Sequence, residues 1–115
     1  MEIEWLEFVE TTVFTRRVQQ HQLEEPLRVL QLSLVENPDA GDLDANTGGL
    51  RKIRMPDPLR GKGKRGGVRV HYLWIPLRRR VYFLYLYLKG DQDSLTNDQK
   101  AVLKEVVRQI RQAAE

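Results

Sequence analysis

Lys52 and Arg54 stand two apart in Leu50-Arg51-Lys52-Ile53-Arg54-Met55, a run that reads as a strand ending before Pro56. That spacing puts both cations on one face of a sheet. Arg69 sits on the next predicted strand and would align near them if the two strands pair as a hairpin. Several fixed positive charges at short range are costly unless an anion or an acidic partner occupies the face. Phosphate suits such a face, because arginine grips its oxygens through paired hydrogen bonds. The plainer reading is a solvated sheet edge. His71 shares a face with Arg69 and would exchange a proton near neutral pH, unless it is a sheet-packing histidine. Tyr87 and Lys89 share parity at the end of the last strand, where an aromatic at the rim can stack on a base.

Between these strands lies Gly61-Lys62-Gly63-Lys64-Arg65-Gly66-Gly67, which lacks the Gly-x-x-x-x-Gly-Lys-Ser/Thr order of a P-loop. A mobile basic clamp on nucleic-acid backbone is the better account, with a plain disordered hairpin as its rival. Arg51, Arg60, Lys62, Lys64, Arg65, Arg78, Arg79 and Arg80 supply the wider basic surface expected to meet a nucleic-acid backbone. His21 and His71 are too far apart in sequence to suggest a metal site, and no metal or cofactor is expected.

These residues need elements to hold them. Ile3 to Val9 alternates imperfectly and reads as a strand. Thr11 or Thr12 can cap a short helix carrying Val13, Phe14 and Val18, which ends between His21 and Pro26. A second helix begins near Glu25-Pro26, buries Leu27, Leu30 and Leu34, and stops at Asn37-Pro38. Asp39 to Gly49 reads as a connection. Val68 to Ile75 is a strand with Val68, Val70, Tyr72 and Trp74 on one face and Arg69, His71 and Leu73 on the other. Arg80 or Val81 to Leu88, rich in Tyr, Leu, Val and Phe, reads as a central strand. Thr96-Asn97-Asp98-Gln99 offers a capping box for a last helix carrying Val102, Leu103, Val106, Val107 and Ile110. The order is β-α-α-β-β-β-α, an α+β class: one small domain over residues 1–115, its antiparallel-rich twisted sheet carrying an N-terminal helical hairpin and a C-terminal helix.

Composition narrows the chemistry. The 115 residues include no Cys, which removes thiol nucleophiles, disulfides and Cys-ligated metals and fits a cytoplasmic location. No apolar run approaches the roughly 18 residues of a spanning helix, and the first four residues do not resemble a basic secretory leader. The net charge of +3 conceals a division. Residues 1–50 carry ten acidic and three basic side chains, residues 51–89 twelve basic against Asp57 alone, and residues 90–115 four basic and five acidic. An anionic partner is therefore expected at one part of the molecule only.

Three segments together carry a resemblance. They are Gly48-Gly49-Leu50-Arg51-Lys52-Ile53-Arg54, Gly61-Lys62-Gly63-Lys64-Arg65-Gly66-Gly67-Val68-Arg69-Val70-His71-Tyr72, and Tyr85-Leu86-Tyr87-Leu88-Lys89 with Leu95-Thr96. The chain resembles the RelE/HigB-type toxins of bacterial toxin–antitoxin modules and looks closest to the HigB branch. The resemblance implies a RelE-like fold and a ribosome-dependent endoribonuclease that cuts mRNA in the ribosomal A site, against 16S rRNA. It also implies a cognate antitoxin, a HigA-like helix-turn-helix protein through which alone operator DNA is bound. By motif position Lys52 and Arg54 are the paired strand basics, Arg69 the arginine of the following strand, and Lys89 the basic residue after the last strand. Some relatives carry a tyrosine near the C-terminus; here no Tyr follows Tyr87, which is the substitute. The implied reaction is attack of the ribose 2′-hydroxyl on the adjacent phosphorus. Lys52 is the expected base if crowding lowers its pKa, and His71 is the rival. The alternatives are a DNA gyrase poison of the same fold, a non-catalytic nucleic-acid-binding module, and an α+β domain whose basic face meets an acidic protein.

Overall fold

A computed structural model describes residues 5–114. Among them the order is β1 (Glu7–Glu10), α1 (Thr12–His21), α2 (Glu24–Glu36), β2 (Asp42–Leu43), β3 (Arg51–Met55), β4 (Val68–Ile75), β5 (Arg80–Leu88) and α3 (Asn97–Ala114). The strands form one mixed sheet in the order β1-β5-β4-β3-β2, parallel only between β1 and β5. This is the expected α+β class. The predicted first strand begins outside the described residues, and its described part starts two residues after Trp5. β5 lies in the interior of the sheet, beside the middle strand β4.

The helix boundaries follow from local chemistry. Thr11 Oγ1 accepts from the Phe14 amide and donates to the Leu84 carbonyl, so one hydroxyl caps α1 and ties it to β5. α1 ends where Gln22 takes a left-handed conformation. Phe14, Val18, Leu23, Leu27, Leu30 and Leu34 then bury their side chains against Val68, Val70, Tyr72, Val81, Phe83 and Leu86 on one face of the sheet. The reciprocal capping box at α3 is present: the Thr96 amide donates to Gln99 Oε1 and the Gln99 amide donates to Thr96 Oγ1. Leu103 and Val107 pack on the opposite face, against Leu50, Leu73, Leu84 and Tyr87. Val102, expected on the buried stripe of α3, is instead exposed.

β2 was not expected, since Asp39 to Gly49 reads as a connection. It exists only through two cross-strand pairs, Asp42 with Lys52 and Leu43 with Arg51. Local propensity cannot announce a strand that pairing alone creates. The turn after it is fastened by Thr47, whose buried Oγ1 donates to the Asp44 carbonyl and accepts from the Leu50 amide.

Candidate functional site

The register of three strands assembles the basic face. Arg54 is paired with Arg69 and Lys52 with His71 across β3 and β4; Arg69 is paired with Tyr87 and His71 with Tyr85 across β4 and β5. Paired residues share a face, so Lys52, Arg54, Arg69, His71 and Tyr87 all stand on the face that α3 partly covers. Leu103 and Val107 of α3 cover Leu73, Leu84 and Tyr87. Lys52, Arg54, Arg69, Lys64 and Lys89 remain together in the wall of an open depression of about 750 Å³. Hairpin alignment, on which the predicted phosphate site depends, is therefore present.

The members of that face are not equivalent. Arg54 is exposed, while Lys52 and Lys89 are half-buried. Lys89 Nζ donates to Asp93 Oδ1. Arg69 is only 6% exposed, and its Nη1 and Nη2 donate to the carbonyls of Lys64 at 3.2 Å and Arg65 at 2.8 Å. Burial, and secondarily Arg54, lower the Arg69 pKa from its ordinary value. Arg69 thus spends two donors holding the glycine-rich loop over the site, a role that strand spacing alone did not reveal.

His71 and Tyr87 lie deeper than expected. Both have no exposed surface, and their rings stack with centroids 5.5 Å apart. Tyr87 is therefore not at the rim and cannot stack on a base; its buried hydroxyl has no hydrogen-bond partner, and burial raises its pKa. His71 cannot reach a ribose from beneath the surface, which matches the sheet-packing reading. Burial is the main cause that lowers its pKa to about 4; Asp44 opposes the shift, while Lys52 and Lys100 add to it. Asp44 Oδ2 lies 3.6 Å from His71 Nδ1, and Asp44 Oδ1 lies 3.8 Å from Lys100 Nζ. Asp44 and Lys100 were missed because neither stands at a telling spacing.

The glycine-rich loop is built rather than loose. Asp57, 2% exposed, accepts from Arg60 Nη1 at 2.9 Å and 3.1 Å. Asp57 and Lys62 exchange main-chain bonds of 2.8 Å and 2.9 Å. Arg60 also donates to the His21 carbonyl at 3.2 Å, anchoring the loop to the end of α1. A disordered hairpin is thus replaced by a loop that displays Lys62, Lys64 and Arg65 to solvent.

The wider basic surface divides in the same way. Arg51 lies on the opposite face from Lys52 and donates to the Asp39 and Gly41 carbonyls. Arg78, Arg79 and Arg80 gather at the far end of the β4–β5 hairpin, about 20 Å along β4 from Arg69. There the Arg79 guanidinium lies over Trp74 and Arg80 pairs with Glu7 at 3.0 Å. These four arginines are separate from the basic face that carries Lys52, Arg54 and Arg69. Among the described residues, no helix is long and apolar enough to cross a membrane.

One comparison bears on this arrangement. A family model described as the RelE toxin of the RelE/RelB toxin–antitoxin system matches residues 8–115.

Proposed function

The chain belongs to the RelE toxin family, which brings with it a cognate antitoxin, and on that footing we propose a ribosome-dependent endoribonuclease acting on translated mRNA. The observation that carries this reading is the Arg54–Arg69 cross-strand pair, with Lys52, Lys64 and Lys89 beside it in one open depression. Such a cluster is worth its self-repulsion when a phosphate fills it. Action at the ribosomal A site places the protein in the cytoplasm. A HigA-like helix-turn-helix antitoxin would carry the complex to operator DNA.

In the proposed reaction the ribose 2′-oxygen attacks the adjacent phosphorus and the bond to the 5′-oxygen breaks. The products are a 2′,3′-cyclic phosphate and a free 5′-hydroxyl. Arg54 and Lys89 stabilise the charge that builds on the phosphorane oxygens, and the loop's Lys64 holds the neighbouring backbone. Lys52 takes the 2′-hydroxyl proton, since His71 is sealed beneath the surface, and water returns a proton to the leaving 5′-oxygen. Arg69 positions the loop and lends its remaining donors. Orientation on the ribosome supplies much of the rate.

The test is cell-free translation with transcript ends mapped, beside the same RNA without ribosomes. Cuts should be confined to translated RNA and fall about 100-fold for Arg54→Ala. Cleavage indifferent to Arg54→Ala, or gyrase-bound DNA breaks in place of RNA cuts, would remove this assignment.

A further inference from the structure

Lys62, Lys64 and Arg65 stand on a loop whose tip has little to rest on. A Cβ on Gly61 or Gly63 would find no heavy atom within 4 Å, and one on Gly66 would meet only the Lys62 side chain. The loop is fixed at its two ends instead. At one end Arg69 holds the Lys64 and Arg65 carbonyls. At the other, in the 3-10 turn Pro58–Arg60, a single guanidinium joins the loop to α1. Arg60 Nη1 donates to both oxygens of the buried Asp57 and to the His21 carbonyl, and Arg60 Nη2 stands 3.3 Å from His21 Nδ1. His21 is the last residue of α1, so its carbonyl lacks a partner within the helix and favours a cation. Asp57 exchanges main-chain bonds with Lys62, so whatever places Asp57 and Arg60 against α1 also places Lys62.

The contact with the imidazole carries a condition. A guanidinium has donors only, so Nδ1 accepts from Arg60 only while its lone pair is free and the proton sits on Nε2. A doubly protonated ring would turn N–H against N–H and set two cations side by side. The charged groups around the ring divide. Arg60 and Arg17 oppose its proton, while Asp91 and Asp57 favour it. Burial sides with the arginines and is the main cause that lowers the His21 pKa from its ordinary 6.5. The groups beside it are not free to rearrange. Asp57 is committed to Arg60, and Arg17 is held by the Leu86 carbonyl at 2.7 Å and by the face of Tyr85.

We propose that Arg60 is a positioning residue for RNA cleavage, clasping the basic loop to α1 while the His21 ring is neutral and releasing it when the ring is protonated. Its bearing on RNA rests on the cleavage reading; the clasp itself does not. Because the clasped ring takes its proton less readily than a free one, the clasp is whole above pH 6.5 and weakens as the pH falls below it.

Amide exchange of Lys62, scaled to the unfolded-peptide rate at each pH, reads the clasp, with Leu34 on α2 as the reference for the rest of the fold. A free ring of pKa 6.5 limits the extra opening at about pH 5, relative to about pH 7.5, to ~30-fold, and at least ~3-fold is expected. His21→Asn keeps an acceptor close to the Nδ1 position and cannot titrate, so its Lys62 protection should agree at the two pH values within about twofold. Arg60→Lys keeps the charge but lacks the fork that spans Asp57 and His21. At about pH 7.5 it should expose Lys62 and raise KM for ribosome-bound RNA roughly 3–10-fold, with kcat nearly unchanged. A parent Lys62 amide indifferent to pH, an equal fall in His21→Asn, or full protection in Arg60→Lys would overturn the clasp. An exposed Lys62 with unchanged KM in Arg60→Lys would overturn its role in positioning RNA. If no RNA were cut at all while Lys62 protection still followed the His21 proton, the cleavage reading would fall and the clasp would stand.

Discussion

Acidification from about pH 7.5 to about pH 5 should cost the protein about 2 kcal/mol of folding stability through His71 alone. In the fold its pKa is lowered from the ordinary 6.5 to about 4, chiefly because no water reaches the ring. The unfolded chain therefore takes up the proton first. His71's contribution is fully present above 6.5 and is lost as pH falls through the interval towards 4. The whole interval corresponds to about 3 kcal/mol, of which about 2 kcal/mol is gone by about pH 5. Asp44, at 3.6 Å, moderates the loss because its carboxylate favours the imidazolium. Urea unfolding at the two pH values, followed by tryptophan fluorescence, measures the effect. The comparison is with His71→Leu, which cannot titrate and leaves no orphaned ring nitrogen. Carboxylates common to both proteins cancel in the difference. Should the parent lose no more stability than His71→Leu, the imidazole is hydrated or already paired, and its burial as a neutral group is wrong.

Two further perturbations probe the frame around the site. A Cβ on Gly67 would stand 2.4 Å from the Met55 carbonyl oxygen and 2.7 Å from that of Gly63. Since both are backbone atoms, Gly67→Ala should force the loop away at a cost of about 1–3 kcal/mol. Amide exchange of Lys62, bonded to the Asp57 carbonyl, should quicken while Leu34 on α2 stays protected; unchanged Lys62 exchange would count against the loop as built. Thr96→Ala removes one half of the capping box and should lower stability by about 1 kcal/mol. The loss should appear as fraying of α3 in amide exchange, and an unaltered first turn would show the cap to be dispensable.

Much of the frame was legible because it is local. The stripe of Leu27, Leu30 and Leu34, the cap at Thr11, the reciprocal pair at Thr96 and Gln99, and the alternation of β4 are all properties of neighbouring residues. The presence of Lys52 and Arg54 on one face needed only the two-residue period of a strand. The division of charge was likewise countable. The depth of each side chain was not. Val102 and Leu103 are adjacent on α3, yet only Leu103 meets the sheet, and that depends on how the helix is rolled.

By itself the sequence determined the elements, the partition of charge and the identity of the cations, since each is set by residue type and spacing along the chain. Only the tertiary structure decided which cations meet. The register of β3 on β4 set Arg54 opposite Arg69, while Arg51, one residue before Lys52, turned to the other face and Arg78 to Arg80 went to the far end of the sheet. It also decided that His71 and Tyr87 have no exposed surface and that Arg69 clasps the loop. Burial and hydrogen bonding join residues distant in sequence through the packing of one sheet, and no pattern along a single strand carries that information.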